Sequence, residues 1–300
     1  MNLYLIVSTK DFTLKPDQLK LLNAVGKVKV IVHKGKIADI AELQKDTADK
    51  VLGIDPDVVD WDLDVEAFET IKNVKAICTQ STSFGWVKPD ELKKKGIAVY
   101  NVPGFSTDSV AEYAIALAME AARRLPLQLK AMAIDWQTKP MLLKGKTLGI
   151  IGLGKIGYRI AEIGSGIGMK VVYWSPRSRD TRFTFLDLEQ VFEQSDVLIP
   201  AFKDSEETKK LITTKLIDTL KSTAIVVGIN RIKNLFDEKH IISRVETGKL
   251  GGYAFEGDNA KDITSSANVW GVPAMAWYST DSLENLIDGW VHNIAEAGRK

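Results

Sequence analysis

The chain has 300 residues, 45% of them hydrophobic, enough to bury one large core or two moderate ones, and two domains are expected. Forty basic and 39 acidic residues leave a net charge of +1, so charge points to neither a nucleic-acid nor an anionic-membrane partner. No stretch reaches the ~18 apolar residues that span a bilayer and the opening MNLYLIVSTKD has no basic leader, so a cytoplasmic protein is expected.

Along the first hundred residues short β-branched runs alternate with amphipathic ones. Leu3–Ser8, Val28–Val32, Val51–Ile54 and Val74–Cys78 read as strands. Helices are predicted over Pro16–Ala24, Ile37–Lys45, Val65–Ile71 and Pro89–Lys95, which makes a small open α/β unit. The single Cys78 excludes an intramolecular disulfide, and within the apolar VKAICTQ it reads as an inert core thiol. Asp108–Arg124 is a long Ala-rich helix, apolar on more than one side, and is expected to lie buried between domains.

The next stretch, TLGIIGLGKIGYRIAEIGSGIGMKVVYWSPRSRD, carries the strongest signal of the chain. The apolar run Leu148, Ile150, Ile151 leads into Gly152-x-Gly154-x-x-Gly157. A helical pattern through Ile156, Ile160 and Ile163 follows and stops at Gly168, and a second strand covers Met169–Trp174. In such a βαβ unit the first glycine makes the tight turn and the second lets the backbone approach a pyrophosphate. The third lets helix and strand pack closely, and the phosphates sit on the helix N-terminus. At the end of the second strand, where an acid would bind ribose hydroxyls, stand Ser175, Pro176, Arg177, Ser178 and Arg179. A cation and hydroxyls suit a 2′-phosphate, so NADP is the preferred dinucleotide, with NAD possible, and Asp180 comes too late to act as the acid.

Alternation then resumes, with strands at Ser195–Ile199, Ala224–Gly228 and Leu250–Phe255 and helices at Leu216–Leu220 and Asp237–Thr247. Asp281–Ala297 is a final amphipathic helix containing Leu286, Ile287, Trp290 and Ile294.

Four segments, in order, resemble the D-isomer-specific 2-hydroxyacid dehydrogenases of the glyoxylate/hydroxypyruvate reductase and phosphoglycerate dehydrogenase kind. They are KKKGIAVYNVPGFSTDSVAEYAIAL, LKGKTLGIIGLGKIG, EETKKLITTKLIDTLKSTAIVVGINR and VETGKLGGYAF. The resemblance implies an α/β fold of two Rossmann-like domains with parallel sheets and a cleft between them. The cofactor domain, 102–274, is inserted in a substrate domain of 1–101 plus 275–300. It also implies a homodimer formed through the cofactor domain, a small 2-keto or 2-hydroxy acid as substrate, and no metal.

Residue by residue, the resemblance assigns cofactor binding to Gly152, Gly154, Lys155, Ile156, Gly157, Ser175, Arg177, Ser178, Phe202, Lys203, Thr208, Ile229, Asn230, Arg231 and Glu256. Lys203 stands in place of the family's usual proline. Arg231, just past AIVVGIN, matches the arginine that grips the substrate carboxylate in a two-pronged fork, with Ile232 after it in place of glycine. The backbone N–H groups of Thr82 and Ser83, in QSTSFGW, are the expected substrate anchors, and Phe84 and Trp86 are large enough to restrict the cleft, with an ordinary loop-packing role for both as the equal alternative.

The family's acid–base histidine is missing. Where Thr-Pro-His is usual, the chain reads Val272-Pro273-Ala274, and His33, His240 and His292 all lie off the motif. By the resemblance Glu256 takes the place of a cofactor-contacting Asp rather than of the catalytic Glu, for which Asp258 or Asp262 could substitute by position, and Glu256 is kept with Arg231 and Tyr278 as a catalytic candidate. Tyr278 and Lys203 are the candidate proton donors, and a wall-packing role for Trp277 and Tyr278 is the alternative. Two functions follow: an NADP-preferring 2-keto acid reductase, or a catalytically weak or inactive NAD(P)-binding sensor or scaffold.

Overall fold

The two predicted sets of strands form two parallel sheets, one in each of two units, Met1–Ser106 with Thr280–Lys300 and Thr107–Ser279. The computed structural model describes residues 1–131, 139–202, 208–209, 211–229, 235–257, 260 and 267–300.

The first unit begins β1 (Asn2–Val7), α1 (Pro16–Asn23), β2 (Lys27–Val32), α2 (Ala41–Lys45) and β3 (Lys50–Ile54). It continues with β4 (Val74–Thr79), α3 (Pro89–Lys94) and β5 (Ala98–Tyr100). The sheet order is β2-β1-β3-β4-β5, all parallel, which is the doubly wound order with a reversal between β1 and β3. β1 and β3 are buried along nearly all their length, as strands covered on both faces must be. Two predicted helices are shorter than expected. Ile37–Lys45 splits into a 3₁₀ turn and α2 at Ile40, whose backbone is extended (φ −80, ψ 97) and whose side chain is buried. Val65–Glu69 is 3₁₀, capped by the Asp64 carboxylate on the Glu66 N–H.

The second unit contains α4 (Thr107–Arg123), α5 (Leu125–Ala131), β6 (Thr147–Ile151), α6 (Lys155–Gly166), β7 (Lys170–Trp174), β8 (Thr184–Phe185) and α7 (Leu188–Gln194). β9 (Val197–Pro200), α8 (Thr214–Asp218), β10 (Ile225–Gly228), α9 (Glu238–Glu246), β11 (Gly252–Glu256) and β12 (Val269–Val272) complete it. Its sheet runs β12-β11-β10-β9-β6-β7-β8, all parallel. The sequence reading expected α4 between domains. Within the second unit its buried residues, Val110 to Ala122, pack against α6, β10 and β11.

α10 (Thr280–Arg299) returns the chain to the first unit, against α1, β3 and β4. Its anchor is Trp290, fully buried, with Nε1 donating to the Cys78 carbonyl at 2.8 Å and Phe12 edge-on at 5.8 Å. Cys78 is itself buried, and burial pushes its thiol up, as expected of a core thiol. Trp290→Ala is expected to cost about 4 kcal/mol, from the cavity and the orphaned carbonyl. Urea unfolding followed in the wild type and the variant checks it, and a loss below about 1 kcal/mol would show that α10 is not held by this side chain. No helix among the described residues is long and apolar enough to cross a membrane.

Candidate functional site

In the second unit β6 lies between β7 and β9, so the chain winds away in both directions from the carboxyl end of β6. That reversal is where open parallel sheets place a ligand, and it is where the three glycines stand. Gly152 follows β6 with φ +96, a left-handed backbone that favours glycine, and its N–H donates to the Trp174 carbonyl at 2.7 Å. A Cβ there would come within 2.9 Å of the Phe202 Cβ. A Cβ on Gly157 would collide with the Gly152 carbonyl oxygen, so α6 can seat against the turn only with glycine. A Cβ on Gly154 would meet no protein atom within 4 Å, which leaves open space in front of the helix N-terminus. Lys155 and Ile156 form the first turn of α6, whose leading N–H groups have no intrahelical acceptor. Close packing behind and open space in front fit a dinucleotide pyrophosphate.

The turn after β7 is built from its own hydroxyl. Ser175 is buried, and its Oγ accepts the Ser178 N–H at 3.2 Å. Arg179 braces the turn, donating to the carbonyls of Ser175 (2.7 Å) and Ser178 (2.9 Å) while its guanidinium stacks 3.8 Å over Phe185. Arg177 is exposed on the same turn. The Asp180 carboxylate is ion-paired with Arg182 at 2.7 Å, and that hydrogen bond holds its carboxyl below the usual range. Phe202 follows β9, Thr208 lies on the connection to α8, and Ile229 is buried just past β10. Lys203, Asn230, Arg231, Asp258 and Asp262 lie outside the described residues.

At the far edge of the sheet β11 and β12 pair in register up to Glu256 and Val272, and the Gly257 N–H extends the ladder to the Val272 carbonyl. Glu256 is buried, and its Oε2 accepts the Ala276 N–H at 2.9 Å. The Ala276 carbonyl accepts the Ser109 Oγ, on the first turn of α4, at 2.7 Å. One helical turn on, burial pushes the Tyr113 phenol up and the charge of Glu256 adds to it. Ala274 is half-buried two residues past β12. Tyr278 closes a turn through its N–H on the Met275 carbonyl (2.9 Å). Tyr278 is 52% exposed, with the Trp277 ring edge-on to its own at 5.2 Å.

The three histidines are placed elsewhere. His33 contacts the Lys36 carbonyl, His240 the Asp218 carboxylate, and His292 is exposed on α10. In the first unit the loop after β4 is cross-braced. Thr82 Oγ1 donates to the Val102 carbonyl (2.9 Å), and Asn101 Nδ2 donates to the Thr82 carbonyl (2.6 Å). The Ser83 carbonyl accepts Ser81 Oγ (2.6 Å) and Trp86 Nε1 (2.9 Å). Trp86 is therefore a buried staple, while Phe84 stays exposed. Among the described residues no acceptor pairs with the backbone N–H groups of Thr82, Ser83 and Phe84.

Sequence reasoning missed Ser109 and the bracing role of Arg179. Ser109 meets Ala276 across 167 residues, for which no local signal exists. A cavity of about 760 Å³, lined by Lys146, Thr223, Gly251 and Asn268, opens at the amino ends of the strands, opposite the glycine edge.

A profile of the D-isomer specific 2-hydroxyacid dehydrogenase NAD-binding domain matches residues 115–277. A glyoxylate reductase of Korarchaeum cryptofilum is 30% identical over 203 residues, covering 63% of this chain and 61% of that one. The match thus spans under two thirds of that relative. A hydroxypyruvate reductase of Blautia hydrogenotrophica is 26% identical over 253 residues, covering 77% and 78%. The solved D-lactate dehydrogenase of Lactobacillus jensenii with NAD+ superposes with a TM-score of 0.81 at 19% identity, covering 100% and 97%. An acyclic imino acid reductase (Bsp5), in complex with NADPH and D-Arg, superposes at 0.78 and 23% identity, covering 97% and 95%. Those likenesses show the two-domain parallel α/β fold. With the NAD-binding domain matched over more than half its length, the chain belongs to the D-isomer specific 2-hydroxyacid dehydrogenase family.

Proposed function

We propose that the chain is an NAD(P)-dependent oxidoreductase acting between NADP(H) and a small 2-keto or 2-hydroxy acid. The observation that carries this reading is the glycine edge of the second unit, shut behind Gly157 and open before Gly154. The bound nicotinamide supplies or takes the hydride. The backbone N–H groups from Gly154 to Gly157 bind the pyrophosphate, and Ser175, Arg177 and Ser178 bind the 2′-phosphate. Phe202, Thr208 and Ile229, with Lys203 and Asn230, line the remainder of the dinucleotide. Arg231 grips the substrate carboxylate, and the N–H groups of Thr82 and Ser83 anchor the acid. Tyr278 hands a proton to the carbonyl oxygen, the service that Ala274 cannot render.

Arg177→Ala is expected to raise the NADPH dissociation constant about 10- to 100-fold, the worth of one charge-assisted contact. NADH affinity should shift less than about twofold, since NADH has no 2′-phosphate. Equal losses for both dinucleotides in a fluorescence titration would remove the NADP preference.

The reductase reading itself is tested with purified protein, NADPH and a panel of 2-keto acids, each with and without ammonium. The ammonium arm serves because hydride addition to a protonated imine asks no acid of the protein. Oxidation at the background rate throughout, despite tight NADPH binding, would assign a binding protein without turnover. Self-association through the second unit as a homodimer belongs to the same reading, and sedimentation equilibrium measures it.

A further inference from the structure

Two elements of the second unit, β11 and α4, converge on the backbone of one residue. Ala276 is 1% exposed, its N–H is held by Glu256 Oε2 from the end of β11, and its carbonyl is held by Ser109 Oγ from α4. A serine in a helix usually returns its hydroxyl to the turn behind it, whereas this one reaches out to another segment. A carboxylate accepting a backbone N–H makes a stronger bond than a neutral acceptor does. The residue so fixed is the centre of the Met275–Tyr278 turn, which carries the exposed rings of Trp277 and Tyr278. Past β12, Ala276 is the buried residue of the Met275–Tyr278 turn, and Met275, Trp277 and Tyr278 around it are exposed.

We propose that Glu256 and Ser109 are positioning residues, a two-sided clamp on the Ala276 backbone, one on the peptide before it and one on the peptide after it, that sets the Met275–Tyr278 turn. Glu256 acts as a hydrogen-bond acceptor in this role and exchanges no proton with substrate. The assignment rests on the reading of Tyr278 as proton donor for its catalytic consequence, and on geometry alone for the clamp.

The test uses Glu256→Ala, Glu256→Gln, Ser109→Ala and the Ser109/Glu256 double alanine variant of the full chain. Exchange of the Ala276 amide proton is measured first, because it requires no turnover. It should accelerate at least about tenfold in Glu256→Ala and return most of the way in Glu256→Gln, whose amide oxygen can accept the same N–H. In 2-keto acid reduction, kcat should fall at least about tenfold in Glu256→Ala with NADPH affinity shifted less than about threefold, and Glu256→Gln should recover most of the loss with an unaltered pH profile. Ser109→Ala should act in the same direction, and the double variant should lose less than the product of the singles, since both bonds hold the two peptide groups flanking one residue.

A Glu256→Gln variant that loses as much as Glu256→Ala, with a changed pH profile, would make Glu256 a titrating or charge-bearing participant and overturn the clamp. Unaltered amide exchange in Glu256→Ala would overturn it equally. Altered exchange together with a wild type that reduces no keto acid would leave the clamp standing and sink the reductase reading instead. If Glu256→Ala does not fold, exchange in Ser109→Ala and Glu256→Gln decides: fast in the first and near wild type in the second supports the clamp, and any other pattern opposes it.

Discussion

Replacing Gly157 by valine is expected to abolish useful dinucleotide binding, raising the NADPH dissociation constant by at least about 100-fold, or roughly 2.7 kcal/mol. The reason lies behind the helix rather than at the ligand. A side chain at this position enters the Gly152 carbonyl oxygen, a backbone atom that no rotamer change can clear. The first turn of α6 must then lift off the end of β6, and its N–H groups leave the positions from which they face a phosphate. Overpacking of this kind also costs about 1–3 kcal/mol of stability, which thermal unfolding will show alongside the binding loss. Gly166→Ala is the control. It lies at the exposed end of the same helix, where a Cβ meets nothing within 4 Å. Binding should be unaltered there and stability raised by about 0.5–1 kcal/mol. NADPH affinity within a few-fold of wild type in Gly157→Val would mean that the dinucleotide does not rest on this turn.

Arg231→Ala should lower kcat/KM for 2-keto acid reduction by at least about 100-fold while NADPH affinity moves less than about threefold. A guanidinium binds carboxylate through two parallel N–H donors, so it fixes the orientation of the acid as well as its presence. Losing it costs the charge-assisted bonds and the alignment of the carbon that receives hydride. Arg231→Lys should recover little, because an ammonium restores charge without the fork. Steady-state kinetics with paired NADPH titrations separates the two effects. Turnover that survives in Arg231→Ala would show that another group holds the carboxylate.

How legible the molecule was in its sequence depended on whether the determining forces were local. The β6–α6–β7 unit could be read because each element has its own period and the glycines have a steric purpose at fixed spacing. The parallel α/β architecture followed from the alternation of such elements. The two-residue β8 and the partly exposed edge strand β12 carry too little apolar pattern to be seen. α7 did leave a local signature, the reciprocal cap of Asp187 and Gln190, but with only Val191 and Phe192 buried its stripe is short. At Ile40 the apolar period runs unbroken across a backbone break, so one helix was expected where a 3₁₀ turn and α2 stand.

At the candidate site the same division holds. SPRSR was legible as a basic turn after β7. That Arg179 braces this turn by stacking on Phe185 depends on a neighbouring strand. Glu256 was placed by the resemblance, one residue past its predicted strand, and the bonds that tie Ala276 to Glu256 and to Ser109 are tertiary facts spanning 20 and 167 residues.

On the proposed reading, the second carbon of a 2-keto acid receives hydride while the Gly152–Gly157 edge holds the dinucleotide. A reaction of the protein with glyoxylate, hydroxypyruvate or pyruvate and NADPH deuterated at the transferred position of C4 tests it most directly, with the product analysed by mass spectrometry. The expected product is a 2-hydroxy acid carrying one deuterium on C2. A protein that binds the deuterated NADPH yet forms no deuterated hydroxy acid from any of the three would contradict the account.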